Sequence, residues 1–357
     1  MRALTDSEAR VIAVLLAARP DRERERLHQV GIPRSTYHAV RRRAYEEGWL
    51  RDRYIPHPVR IGRPFVTFVV ARPYADRFSE FTERLAREDG TVFLWTATQI
   101  GLAVLFQPRA TDGPKLVERL VSGKLVANPL GITVRVDGPA VPVYFDFEGL
   151  WCHLAGLAGT IAYPHGLGGP LPGAGEDEDD APAPLTPHQR WALSELLQRP
   201  FAATEQGKGG HLVGPFGLPF SQRRLLARGW ITHRTLLDPA KLPPYQGRTG
   251  DQVVIISGTP HAGARPELLF AALTRESRVY PFAFVAGGDR WLLAALGGST
   301  AETSDRSPRR PVLPTLREYL EGIEILQEAA TEFSAPIDHR YERLLPPDGR
   351  APTVAKP

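Results

Sequence analysis

The chain has 357 residues, enough for two or more domains, and its 42% hydrophobic and 24% charged content is ordinary for a soluble globular protein. Its single cysteine, Cys152, excludes an internal disulfide framework and any multi-cysteine metal site. The net charge of +4 is unevenly spread: residues 1–63 hold 14 Arg, no Lys and 8 acidic residues, a surplus of +6, which favours a polyanionic partner, most simply nucleic acid.

In chain order, Thr5 is the expected N-cap of a first helix, with Glu8 three positions on completing a capping box. Ala9, Ile12, Ala13 and Leu16 line one face of that helix. Val11 to Ala18 is apolar, but Asp6 and Glu8 precede it and a charged run, Arg19 to Arg26, follows it. That pattern fits a buried helix and not a secretory leader. No apolar run approaches the roughly 18 residues that span a bilayer, so no membrane partner is expected and the cytoplasm, on the nucleoid, is the expected location. Asp21 to Gln29 reads as a second helix.

A third helix starts at GIPRSTYHAVRRRAYEEGWL (31–50), over about residues 33–47. Pro33 suits the mouth of a helix, with Ser35 and Thr36 in the first turn. Tyr37, Val40 and Ala44 would face a core, and Arg34, His38 and Arg42 form the opposite, basic stripe. Gly48 stops the helix, and Trp49 and Leu50 re-enter the core. Three helices with a tight turn before the last make a helix-turn-helix, whose last helix has the shape a DNA major groove accepts. Arg34, Ser35, His38 and Arg42 are candidates to reach base edges, with Thr36 a further DNA-binding candidate in the first turn. Arg41, Arg43, Arg51, Arg53, Arg60 and Arg63 are candidates for phosphate contacts, the last four lying in a Pro-, Gly- and Arg-rich wing or connector, RDRYIPHPVRIGR (51–63).

From Phe65 the periodicity changes. Strand FVTFVVA (65–71) is followed by a helix with Tyr74, Phe78, Phe81 and Leu85 on one stripe, strands at 91–99 and 100–107, and a helix carrying Leu116, Val117, Leu120 and Val121. A final strand region runs through ITVRVD (132–137) and VPVYFDF (141–147). The order β-α-β-β-α-β is the split βαβ, or ferredoxin-like, arrangement. Residues 163–184, with the acidic run Glu176 to Asp180, read as a linker, either a solvated spacer or a segment that competes with DNA for the basic face.

Beyond the linker the pattern restarts. LTPHQRWALSELLQRP (185–200) echoes LTDSEARVIAVLLAARP (4–20), and RRLLARGWITHR (223–234) echoes RRAYEEGWLRDR (42–53), both at an offset of 181. Strands at 253–257, 278–286, 290–296 and 323–330 and helices at 266–273 and 313–322 repeat the sheet pattern. The closing segments YFDFEGLW (144–151) and IDHRYERLL (337–345) correspond loosely. In the second copy the recognition stretch lacks the Ser-Thr-Tyr start, but Arg223 and Arg224 remain.

The expected fold class is therefore α+β: two winged helix-turn-helix domains, each followed by a ferredoxin-like domain, in tandem. The boundaries are 1–63, 64–162, a linker at 163–184, a degenerate second helix-turn-helix at 185–250, 251–345, and a tail at 346–357. One chain would then be an intramolecular pseudo-dimer, able also to form a homo-dimer or higher assembly.

GIPRSTYHAVRRRAYEEGWL resembles the winged helix-turn-helix of small bacterial and archaeal regulators, and its coupling to a β-α-β-β-α-β domain is similar to the Lrp/AsnC, or feast/famine, family. The resemblance implies a sequence-specific transcriptional regulator of double-stranded DNA whose ferredoxin-like domain dimerises. It also implies an amino-acid-type effector near a Gly-Asp-x-Asp turn. Here that place reads Thr98, Gln99, Ile100, Gly101, Leu102, without a carboxylate, which leaves an effector open.

No cofactor or metal is expected, and the chain is not expected to be an enzyme. It has no GxxxxGK[ST] loop, since Gly207-Lys208-Gly209 lacks both spacing and hydroxyl, and no GxGxxG after a strand, HExxH or GxSxG. Cys152 and His153 are adjacent and would diverge, which does not suit a nucleophile and base. The alternative to a regulator is an architectural, nucleoid or mobile-element DNA-binding assembly protein.

Overall fold

The computed structural model describes residues 5, 7–8, 11–12, 15, 31–97, 100–135, 143–144, 185–198, 218–237, 252–266, 268–269, 272, 279–287, 289–297, 309–330, 333–337 and 340–345. The expected helix at 21–29, the linker, Cys152 and His153, Gly207 to Gly209, Thr98 and Gln99, and the tail lie outside these residues. So do Ala9, Ala13 and Leu16 of the first helix.

The described part is α+β with antiparallel sheets, consistent with helix-turn-helix elements beside ferredoxin-like ones. Helix α1 (Arg34–Glu46) leads into β1 (Leu50–Pro56). Then follow β2 (Phe65–Ala71), α2 (Phe78–Arg87), β3 (Thr91–Ala97), β4 (Ile100–Gln107), α3 (Asp112–Ser122), β5 (Leu130–Arg135) and the short β6 (Val143–Tyr144). The second half holds α4 (Pro187–Gln198), α5 (Leu218–Ala227), β7 (Ile231–Leu237), β8 (Gln252–Pro260), β9 (Val279–Gly287), β10 (Arg290–Gly297), α6 (Arg309–Arg317), β11 (Leu320–Ala330) and β12 (Phe333–Ile337).

The chain divides into two compact units. One combines Met1–Arg51, Val143–Gly168 and Thr235–Glu332; the other combines Asp52–Pro142, Gly169–Arg234 and Phe333–Pro357.

In the second unit the sheet order is β12-β3-β4-β2-β5. Phe68 lies opposite Val104 on one side and Ile132 on the other. Helices α2 and α3 cover one face, where Phe81, Leu85, Leu116 and Leu120 pack on Val69, Leu94, Ala103 and Leu105. Each such side chain contributes about 1.5–3 kcal/mol by leaving water, so this layer fixes the sheet. Near the start of α3, Gly113 lies so close to the sheet that a Cβ there would sit 2.3 Å from Thr133 Oγ1 and 2.4 Å from Thr67 Oγ1. The hydroxyls beneath it are satisfied, Thr67 donating to Gln107 Oε1 at 2.6 Å and lying 3.0 Å from Thr133 Oγ1.

The first unit's sheet runs β11-β8-β10-β9-β6, which matches the other read from its opposite edge, β5-β2-β4-β3-β12, strand for strand. Val254, Ile256, Trp291, Leu293, Leu269, Leu316 and Leu320 form its core.

Three expectations are corrected. The strand region at 141–147 is described only as Val143–Tyr144, and it pairs with β9 instead of ending the sheet of its own half. Reciprocally, β12 pairs with β3. An edge strand takes whichever unpaired backbone edge it reaches, and sequence periodicity carries no information about which one that is. The helix placed at 313–322 spans Arg309–Arg317, because Leu320 and Glu321 are already paired with Pro260 and Thr259. Finally, Tyr74 leaves the α2 stripe and is 47% exposed, since a 3₁₀ turn at Ala75–Arg77 shifts the phase before the helix begins.

Candidate nucleic-acid interface

The site is built on α1. Pro33 sits at its N-cap with φ −58° and ψ 138°, and the Tyr37 amide donates to the Pro33 carbonyl at 3.0 Å, so the helix starts without a side-chain cap. Tyr37, Val40 and Ala44 are buried and hold the helix down. At the other end Gly48 takes φ +72°, and the Glu47 and Gly48 amides close on the Arg43 and Tyr45 carbonyls at 2.8 and 3.1 Å. A side chain at that φ would cost about 1–2 kcal/mol, which is why glycine ends the helix here. Trp49 and Leu50 then turn inward, each 1% exposed.

The remaining face points to solvent. Arg34, Ser35, His38 and Arg42 are exposed, and Thr36 is half-buried. Arg34 Nε donates to His38 Nε2 at 3.4 Å, a long contact one helical turn apart. Arg42 Nε lies 3.9 Å from Glu46 Oε1, with both side chains largely in water. Such an exposed i,i+4 pair is worth about 0.5 kcal/mol, less than the roughly 1–3 kcal/mol of a bidentate guanidinium–guanine contact, so Glu46 does not withhold Arg42 from a base edge.

The candidates for phosphate contact separate. Arg41 is half-buried with its guanidinium 5.9 Å from the Tyr45 ring centre, and Arg43 is turned inward onto Glu8. The side chains of Arg51 and Arg53 lie outside the described set. Arg60 donates to the Arg228 carbonyl just past the end of α5, a cation where that helix presents unpaired carbonyls. Burial lowers its pKa from the ordinary arginine value. Arg63 is 13% exposed and its fork is spent internally: Nη2 on the Asp89 carboxylate at 2.8 and 2.9 Å, Nη1 on the Phe106 carbonyl and Nε on the Leu344 carbonyl, both at 3.1 Å. Its job in the fold is to tie four segments of one unit together. His57, next to this arm, donates its backbone N–H to the Trp230 carbonyl at 2.9 Å; burial, and then the Arg60 charge, lowers its side-chain pKa.

Arg223 and Arg224 on α5 are exposed, and the Arg224 guanidinium sits 5.7 Å from the Phe220 ring centre.

The residue that periodicity undervalued is Glu8. It forms the expected capping box, the Thr5 amide donating to its Oε2 at 3.0 Å and its own amide donating to Thr5 Oγ1 at 3.3 Å. Yet it is also only 3% exposed, and its Oε1 accepts Arg43 Nη1 at 2.7 Å. One carboxylate therefore caps the first helix and clamps α1. Only the capping half of that role had a sequence signature.

Among the described residues no group of three or more His, Cys, Asp or Glu is placed to hold a metal ion, and no helix is long and apolar enough to cross a membrane.

By class this is an α+β chain with antiparallel sheets, in which one helix, α1, carries an exposed arginine-bearing face. No protein-family model matches it, and no curated protein does. Solved structures similar to it include the siroheme decarboxylase NirDL, at 13% identity over 95% of this chain and 96% of that one, with a TM-score of 0.47. They include E. coli AsnC, at 12% identity over 39% of this chain and 97% of that one, TM-score 0.30. A third is a transcriptional regulatory protein of the AsnC family from Pyrococcus furiosus, at 15% identity over 37% of this chain and 90% of that one, TM-score 0.30. The expectation that the chain is not an enzyme does not stand: two solved structures similar to it over nearly its whole length are of a siroheme decarboxylase.

Proposed function

We propose that the chain is a sequence-specific DNA-binding transcriptional regulator, with α1 entering the major groove of a duplex and Arg34, Ser35, His38 and Arg42 reading base edges. The observation that carries this reading is the sorting of α1 into a buried Tyr37, Val40, Ala44 face and an exposed Arg34, Ser35, His38, Arg42 face. The proposal extends to the whole chain as a tandem duplication acting as an internal pseudo-dimer in the cytoplasm. Its support is the repeat at an offset of 181, the same capping box at Thr5 and Glu8 and at Thr186 and Gln189, positive-φ glycines at Gly48 and Gly229, and the identical order of the two sheets.

Genome-wide footprinting tests the class. A narrow set of protected sites supports a regulator; broad cooperative coverage makes it an architectural protein. On a selected duplex, Arg34→Ala or Arg42→Ala should each weaken binding by about 1–3 kcal/mol and blur sequence preference. Equal losses on selected and random DNA would contradict base reading by α1. Because the full-length structural matches are of a siroheme decarboxylase, the same preparation is incubated with siroheme, and loss of carbon dioxide from it, followed by mass spectrometry, would assign a catalytic role instead.

A further inference from the structure

The two capping boxes share backbone geometry but differ by one charge. In the first, Glu8 Oε1 holds Arg43 Nη1 at 2.7 Å, tying down a side chain that is otherwise 43% exposed. In the second, Gln189 makes the same cap, the Thr186 amide donating to its Oε1 at 3.0 Å and its own amide donating to Thr186 Oγ1 at 3.2 Å. Gln189 is equally hidden, 6% exposed, but has no charge to offer. The arginine 181 positions on from Arg43 is Arg224, and it is exposed, lying over Phe220 where Arg43 is held by a buried carboxylate.

The consequence is a second basic face. Phe220, Arg223, Arg224, Ala227 and Arg228 recur at i, i+3, i+4, i+7 and i+8, all are exposed, and no acidic residue lies between Leu218 and Arg228. Ser221 and Leu225 are buried behind them. At the places of Arg34, Ser35 and His38 the second copy has Pro215, Phe216 and Pro219, so of the four residues proposed to read bases only Arg42 keeps a counterpart, Arg223. What it presents is guanidinium charge on a helix braced from behind, the Arg60 side chain donating to the Arg228 carbonyl and Gln222 Nε2 to Tyr54 Oη.

We infer that α5 is a phosphate-binding face, on which Arg223 and Arg224 grip the DNA backbone without selecting sequence, and that the Glu-to-Gln difference between the two caps is what releases Arg224 for it. This rests on the proposed DNA-binding function and adds the division of labour: α1 reads bases, α5 adds affinity.

The test uses the full-length chain and fluorescence anisotropy on a selected and a random duplex across a salt series. Each phosphate contact contributes about 0.9 to the slope of log affinity against log salt. Arg223→Ala/Arg224→Ala should flatten that slope by about 1–2 and weaken both duplexes by the same factor. Gln189→Glu, which restores the carboxylate of the first cap, should flatten it by about 1 by drawing Arg224 inward, with circular dichroism verifying the fold. An unchanged slope in either folded variant, or a loss confined to the selected duplex, overturns the inference. Should the wild type bind no duplex, or Arg34→Ala/Arg42→Ala leave preference intact, the function proposed above fails. Should that variant lose preference while Arg223→Ala/Arg224→Ala keeps the wild-type slope, the present inference fails alone.

Discussion

Arg43 and Arg42 are neighbours in sequence with opposite fates. Arg42 points to water, whereas Arg43 is held by a carboxylate buried to 3% exposure that also caps a helix. Removing the cation leaves Glu8 with the Thr5 donors but a poorer environment for its charge, so Arg43→Ala should lower stability by about 1–2 kcal/mol in a urea titration. Glu8→Gln, which keeps the cap, should cost less; the reverse ranking would mean that the ion pair does not clamp α1. His57 gives a pH signature. Its folded pKa is depressed, chiefly by burial and then by Arg60, and its Nδ1 is buried without a hydrogen-bond partner among the described residues. The unfolded chain therefore binds more protons just below the ordinary histidine value of about 6.5. This contribution to stability is complete above about pH 6.5 and declines as pH falls through the window beneath it. Thermal unfolding of His57→Gln should show a weaker decline over that window than the wild type, and parallel curves would refute the assignment.

At the scale of elements, α1 and α5 are cut to one pattern. Each ends at a positive-φ glycine, Gly48 at +72° and Gly229 at +63°, and each is followed by a buried tryptophan and a buried aliphatic residue. The glycine lets the chain reverse so that the tryptophan anchors the helix from behind. Gly48→Ala should therefore cost about 1–2 kcal/mol of stability, through the backbone and not through any lost contact. Equal denaturation midpoints would show that the turn can be made another way. Gly113 works differently: its φ is unremarkable, but the missing Cβ lets α3 rest on the Thr67 and Thr133 hydroxyls.

At the scale of the whole molecule, each five-stranded sheet borrows its outer strand from a distant part of the chain, β12 beside β3 and β6 beside β9. The segment after β12 strengthens the first of these joins. Tyr341 and Leu344 are buried, the Arg340 amide donates to the Val92 carbonyl at 2.8 Å, and Arg343 donates to the Ala86 carbonyl. Deleting residues 333–357 should thus destabilise the sheet that contains β3, some 250 residues earlier in the sequence, and expose its edge. The two buried side chains alone are worth about 3–6 kcal/mol. Hydrogen exchange in β3 reports it: faster exchange at Leu94 and Thr96 is the expected outcome, and unchanged protection would show that the borrowed strand is dispensable.

The sequence by itself determined what depends on neighbours within a few turns of chain. It disclosed the α1 boundaries to within a residue, its buried and exposed stripes, the Thr5 and Glu8 cap, the Gly48 stop, and the apolar runs that produced β2, β4 and β10, because these follow from local dihedral preferences and from which residues are apolar. The tertiary structure alone decided which arginines are left outside. Arg63 looks like a phosphate binder in a basic connector, yet a carboxylate and two backbone carbonyls from remote segments take its donors, whereas Arg60 in the same connector commits one donor to the Arg228 carbonyl. It also decided which edge receives β6 and β12. Pairing partners and charge partners are set by contacts between residues far apart in the chain, and hydrophobic periodicity is blind to those contacts because it records only whether a side chain is buried, never against what.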